Sequence, residues 1–104
     1  DSIVSIGEIK TNPYLLKYIS KNKVKNLFHI KKNNLNRQNF RKVYFPFGVI
    51  YLSKINTYLK NKTFYNKKTM FYKIKINQCF EIDDIYDFYC VEAIIKKLGK
   101  LWNF

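Results

Sequence analysis

The chain has 104 residues, 47% of them hydrophobic and 18% aromatic, which suits one packed domain or part of one and excludes a disordered polar chain. Twenty Lys and Arg against seven Asp and Glu give a formal net charge of +13, which suggests a polyanionic partner such as nucleic acid, a nucleotide or an anionic membrane. The longest apolar stretch, Val43 to Leu52, is broken by Pro46 and Gly48 and is far too short for a bilayer, which excludes a spanning segment; no signal peptide is visible, and a cytoplasmic location is expected.

Ser2-Ile3-Val4-Ser5-Ile6 reads as a strand buried on both faces. Asn12-Pro13 marks a turn, Tyr14 to Ile19 one or two helical turns, and Lys21 to Asn26 a polar loop. Leu27 to Ile30 reads as a short strand and Lys31 to Gln38 as a charged, Asn-rich loop. Val43-Tyr44-Phe45 feeds a turn at Pro46-Phe47-Gly48, and Val49 to Leu52 is a buried strand. Ser53 caps a helix over Lys54 to Lys60 whose apolar face is Ile55, Tyr58 and Leu59. A loop over Asn61 to Thr69 carries Phe64-Tyr65, whose polar flanks suit a surface anchor or interface. Met70 to Ile76 alternates as a half-buried strand. Asp84 caps the clearest helix, which runs to Leu98 with Asp87 completing a capping box. Its stripe is Phe88, Val91, Ile94, Ile95 and Leu98, and Gly99 ends it. Strands and helices mix without strict alternation, which predicts an α/β sheet with mixed strands.

The acids are unevenly placed. Five of the seven are Glu81, Asp83, Asp84, Asp87 and Glu92, and none lies between Glu8 and Glu81. On an extended segment Glu81 and Asp83 point to the same side, and two such oxygens beside a basic surface suit a hard cation such as Mg²⁺ held against a phosphate. The plainer reading of the same residues is a strand end and a helix cap with solvated charge. Cys79 and Cys90 have no zinc spacing, lone His29 does not complete one, and reduced core thiols are the default.

Three blocks follow in order: Arg37-Gln38-Asn39-Phe40 with Pro46-Phe47-Gly48-Val49-Ile50-Tyr51; Phe64-Tyr65 leading to the Met70–Ile76 run; and Glu81-Ile82-Asp83-x-x-x-Asp87-Phe88 with Glu92 beyond. Together they resemble the C-terminal half of the acylneuraminate cytidylyltransferases, the CMP-sialic acid synthetases and their relatives for other nonulosonic acids, over roughly residues 1–97. The opening Asp1-Ser2-Ile3-Val4-Ser5 is also similar to the family's strand after the nucleotide half.

The resemblance implies a Rossmann-like sheet of the nucleotide-sugar transferase type. Residues 1–104 would be the C-terminal part of one cytidylyltransferase domain, with 44–76 a dimerisation excursion. It implies transfer of CMP from CTP to a sugar acid with release of pyrophosphate, Mg²⁺ on the catalytic pair Glu81 and Asp83, and a homodimer. Arg37, beside Gln38, would hold the substrate's carboxylate, Gly48 would let backbone approach a ligand, and Phe64 and Tyr65 would reach the partner's sugar pocket. Glu81 stands where the family has an aspartate, and Phe47 replaces an asparagine expected to touch the sugar.

The family's phosphate-cradling loop has no counterpart here, and the chain starts at Asp1. The expectation is therefore a fragment, inactive alone, that lacks the nucleotide-binding half. Two other readings stand beside it. A basic, aromatic module would grip RNA through lysines such as those of residues 21–32. Eighteen Lys against only Arg37 and Arg41 suits an A/T-rich coding sequence better than a reader of phosphate and guanine, so nucleic acid is not the expected partner. A truncated, inactive synthetase remnant is the third reading.

Overall fold

The computed structural model describes residues 1–29 and 41–99 and has a mixed α/β structure with two α-helices. It divides into two compact units. One joins residues 1–7 to the chain from Pro46 onward, and Glu8–Phe45 is the other.

The first unit is organised on strand β1, Ser2–Ile9. Val4 and Ser5 are both buried although successive side chains of a strand face opposite ways, so β1 is covered on both faces over this stretch, as its β-rich sequence predicts. In this unit β1 has an antiparallel and a parallel neighbour. In the antiparallel pair with β5 (Tyr51–Ser53), Ser2 faces Ser53 and Val4 faces Tyr51. In the parallel pair with β6 (Met70–Lys73), Ile3 faces Met70 and Ile6 faces Lys73. A parallel neighbour requires a crossover, and helix α1 (Ile55–Asn61) lies in it.

Several boundaries differ from the sequence reading. β5 starts at Tyr51 because Val49 and Ile50 use their amides in the preceding turn. Lys54, not Ser53, is the N-cap of α1, and the Ser53 hydroxyl donates to the Lys54 carbonyl instead of capping. Lys62 closes α1 in the left-handed conformation at φ 55°, its N–H donating to the Tyr58 carbonyl at 2.7 Å. β6 ends at Lys73. Ile74 still donates to the Ile6 carbonyl at 2.9 Å, but the chain then folds into a 3₁₀ turn over Ile76–Gln78. Helix α2, Ile85–Leu98, is as expected, with Asp84 and Asp87 forming a reciprocal capping box.

The second unit contains a 3₁₀ turn at Pro13–Leu15, a two-stranded hairpin of β2 (Lys17–Ser20) with β3 (Lys23–Asn26), and the short strand β4 (Val43–Phe45). The buried Asn12 side chain caps the turn by accepting the Tyr14 N–H at 3.0 Å. The hairpin corrects two sequence expectations, a helical segment over Tyr14–Ile19 and a loop over Lys21–Asn26. Lys21 and Asn22 both take positive φ, 51° and 60°, which gives the tight reversal whose twist matches paired strands. Leu27–His29 form no strand; the Leu27 N–H donates to the Leu16 carbonyl at 3.0 Å, and the Phe28 ring meets Tyr14 edge to face.

Apolar cover is thin. Among the described residues the buried hydrophobic side chains are Val4 and Ile74. On α2 the expected stripe is only partly covered: Val91, Ile94 and Leu98 are half-buried, while Phe88 and Ile95 are exposed. Cys79 is half-buried and Cys90 exposed, which replaces the expectation of two core thiols.

Candidate functional site

The first unit brings two of the three sequence blocks into direct contact. Glu81 lies on the extended segment between the 3₁₀ turn and α2, and its Oε1 accepts the backbone N–H of Gly48 at 2.5 Å across 33 residues of sequence. A Cβ on Gly48 would stand 3.3 Å from that same oxygen, so the bare backbone admits the carboxylate. The close approach expected of a ligand at Gly48 is made by Glu81 itself.

The turn that carries Gly48 is held from its other side by β1. The Ser5 hydroxyl donates to the Phe47 carbonyl and accepts the N–H groups of Val49 at 3.2 Å and Ile50 at 3.0 Å. The Ser5 backbone N–H donates to the Ile50 carbonyl at 2.9 Å. Phe47 is half-buried and packs against Gly7, where an added Cβ would lie 2.8 Å from the ring and would also overlap Cys79 Sγ. Burial pushes the Cys79 thiol pKa up, and its Sγ donates to the Lys75 carbonyl at 3.2 Å.

Tyr51 joins this turn to the second block. Its ring edge would be 3.8 Å from a Cβ on Gly48. The same ring packs on Phe64 at a centroid distance of 5.3 Å, and Tyr58 packs on Phe64 at 5.0 Å. Phe64 is half-buried in this aromatic cluster, while Tyr65 is exposed. The Tyr65 hydroxyl is pushed above the ordinary tyrosine value, first by partial desolvation and then by the neighbouring Tyr51 hydroxyl, with which it shares a hydrogen bond. Sequence reasoning did not single out Tyr51, although it ends the Pro46–Tyr51 block; its register against Val4 was the missing information.

The remaining acids divide by role. Asp87 Oδ2 accepts the N–H groups of Asp83 at 3.0 Å and Asp84 at 3.3 Å, and Asp84 Oδ1 accepts the Asp87 N–H at 2.8 Å. These two carboxylates cap α2 and fix the backbone on which Asp83 stands. The Asp83 side chain is exposed. Glu92 pairs with Lys96 one turn on, at 3.3 Å on the helix surface. Among the described residues no group of three or more His, Cys, Asp and Glu gathers as a metal cage. Glu81 and Asp83 offer hard carboxylate oxygens from two residues. That donor set fits Mg²⁺, which usually keeps waters and takes one or two carboxylates beside a substrate's phosphates. Arg37 and Gln38 lie outside the described residues.

A cleft of about 380 Å³ opens beside the start of β1, lined by residues that include Ile3, Leu52, Lys54 and Met70; among the described residues none of the sequence-predicted site residues borders it. Among the described residues no helix is long and apolar enough to cross a membrane.

No family model matches the chain. It is 27% identical over 88 residues to the N-acylneuraminate cytidylyltransferase of Streptococcus agalactiae serotype V. It is 29% identical over 89 residues to the proteins of the same name from serotypes III and Ia of that species. Each match covers 85% of this chain and 21% of the relative, so the chain spans about a fifth of the length of the curated relatives it matches. The likeness is distant and partial, to proteins named as transferases.

Proposed function

We propose that this chain forms the sugar-acid and metal-binding part of a cytidylyltransferase that moves CMP from CTP to a nonulosonic acid such as sialic acid and releases pyrophosphate. The observation that carries the reading is the Glu81–Gly48 hydrogen bond. It joins, at one point, the two blocks that the resemblance assigns to the sugar and to the metal. Further support comes from the partial likeness to N-acylneuraminate cytidylyltransferases and from Tyr51, which carries the contact onward to Phe64 and Tyr65.

In this reading the anomeric hydroxyl of the sugar attacks the α-phosphate of CTP, and catalysis rests on positioning and charge neutralisation. Glu81 and Asp83 would hold Mg²⁺, which when bound would supply positive charge for the phosphates. Glu81 Oε1 accepts the Gly48 amide, which would hold the carboxylate in place for the ion. Asp84 and Asp87 hold the backbone that presents Asp83. Arg37 binds the sugar's carboxylate through its planar fork, with Gln38 beside it. Phe47 stands where the resemblance expects an asparagine that touches the sugar, and its ring packs on Gly7 instead. The sheet belongs to a Rossmann-like nucleotide-sugar transferase fold, and a homodimer brings Phe64-Tyr65 to the neighbouring pocket.

The test uses Glu81→Gln and Asp83→Asn in the full-length protein. A Gln oxygen still accepts the Gly48 N–H, so Glu81→Gln removes charge while keeping the contact. Each variant should lose at least about 100-fold of Mg²⁺-dependent CMP-sugar formation with melting temperature little changed. Full turnover in both variants overturns the assignment.

A further inference from the structure

β1 carries two buried hydroxyls, Ser2 at 2% exposure and Ser5 at 0%, and they serve different ends of the unit. Ser2 Oγ lies 2.9 Å from Thr69 Oγ1 and accepts from the Asn66 side chain at 3.4 Å, so it ties down the Phe64–Thr69 loop. Ser5 reaches only the turn before β5. One hydroxyl gives its proton to the Phe47 carbonyl and takes the N–H groups of Val49 and Ile50. Those three residues bracket Gly48, whose own N–H is left for Glu81. A buried hydroxyl with a donor and two accepting directions is suited to this task. An apolar side chain of the same size offers none of the three contacts. The Val49 N–H also reaches the Phe47 carbonyl at 2.9 Å, and the Ile50 N–H donates to the Ser5 hydroxyl at 3.0 Å.

We propose that Ser5 is a positioning residue. Its hydroxyl sets the course of the Phe47–Ile50 turn and thereby the direction of the Gly48 amide that holds Glu81. It touches neither substrate nor metal and acts through the turn. The consequence for catalysis, that Ser5 governs the Mg²⁺ dependence of turnover through Glu81, rests on the function proposed above.

The experiment compares Ser5→Ala with Ser2→Ala in the full-length protein. Both remove a buried hydroxyl with long-range partners from one strand, so both report any general loss of stability. Hydrogen exchange of the Val49, Gly48 and Ile50 amides should speed at least about tenfold more in Ser5→Ala than in Ser2→Ala. The Mg²⁺ concentration for half-maximal turnover should rise about tenfold or more in Ser5→Ala and stay within about twofold of the parent in Ser2→Ala. Ser5→Thr, which keeps the hydroxyl, should restore most of the exchange protection. Equal exchange in the two alanine variants overturns the positioning role. An unchanged Mg²⁺ midpoint in Ser5→Ala overturns its link to the metal pair. A parent protein that turns over no sugar acid overturns the proposed function, and the amide exchange then decides the role of Ser5 by itself.

Discussion

Gly7 occupies a place where one methyl group has no room. A Cβ there would overlap both Cys79 Sγ and the Phe47 ring, and neither is the free end of a long flexible side chain. Its φ is not in the left-handed region, so close approach and not backbone freedom makes the position favour glycine. Gly7→Ala should destabilise the protein by about 1–3 kcal/mol, the usual cost of forcing atoms into a packed site. In a Cys79→Ala background the same change should cost measurably less, because the sulfur that the new Cβ meets is gone. Denaturant unfolding of the four proteins of this cycle gives both numbers. Strict additivity would mean that Gly7 and Cys79 do not touch.

Among the helices and strands, α2 was the most legible. Asp84 and Asp87 stand at the N-cap and three residues on, and the structure joins them reciprocally. Asp84→Ala should therefore cost about 1 kcal/mol in thermal or denaturant unfolding. Because Asp84 caps and does not face the ion in the proposed site, Mg²⁺ dependence of turnover should keep its midpoint within about twofold. A lost Mg²⁺ response with unchanged stability would reverse the division of roles between Asp83 and Asp84. The hairpin of β2 and β3 was illegible for a physical reason. Its reversal uses Lys21 and Asn22 at positive φ, where sequence signals look for Asn-Gly or Asp-Gly. Asn tolerates that region, but a lysine there carries no local signature. The meeting of Glu81 with Gly48 was illegible for another reason. Local pattern gives period and caps, while a contact across 33 residues depends on β5 and β6 flanking the same strand in particular registers. The order of the blocks suggested that they meet; only the fold shows that one carboxylate makes the junction.

The described residues, taken together, are marked by how little apolar surface they cover. Ile55 is 76% exposed, Tyr86 74% and Phe71 66%, and β6 is exposed at every position although its pairing with β1 is parallel. Parallel strands are normally covered on both faces, so this edge has the composition of an interior and the exposure of a surface. A net charge of +13 opposes association at long range, but it is screened within about 10 Å at moderate salt, and apolar contact acts inside that distance. The 104-residue chain by itself should therefore associate as salt is raised from about 20 to about 200 mM, and should bind a dye such as ANS at neutral pH. Light scattering across that series, with ANS fluorescence beside it, measures both. A chain that stays monomeric and dye-free throughout would mean that α2 and β6 pack more closely in solution than their exposure here allows. Association driven by these faces should weaken when Phe71 and Tyr86 are replaced by Ser, whereas removing lysines should strengthen it, since the charge works against the contact.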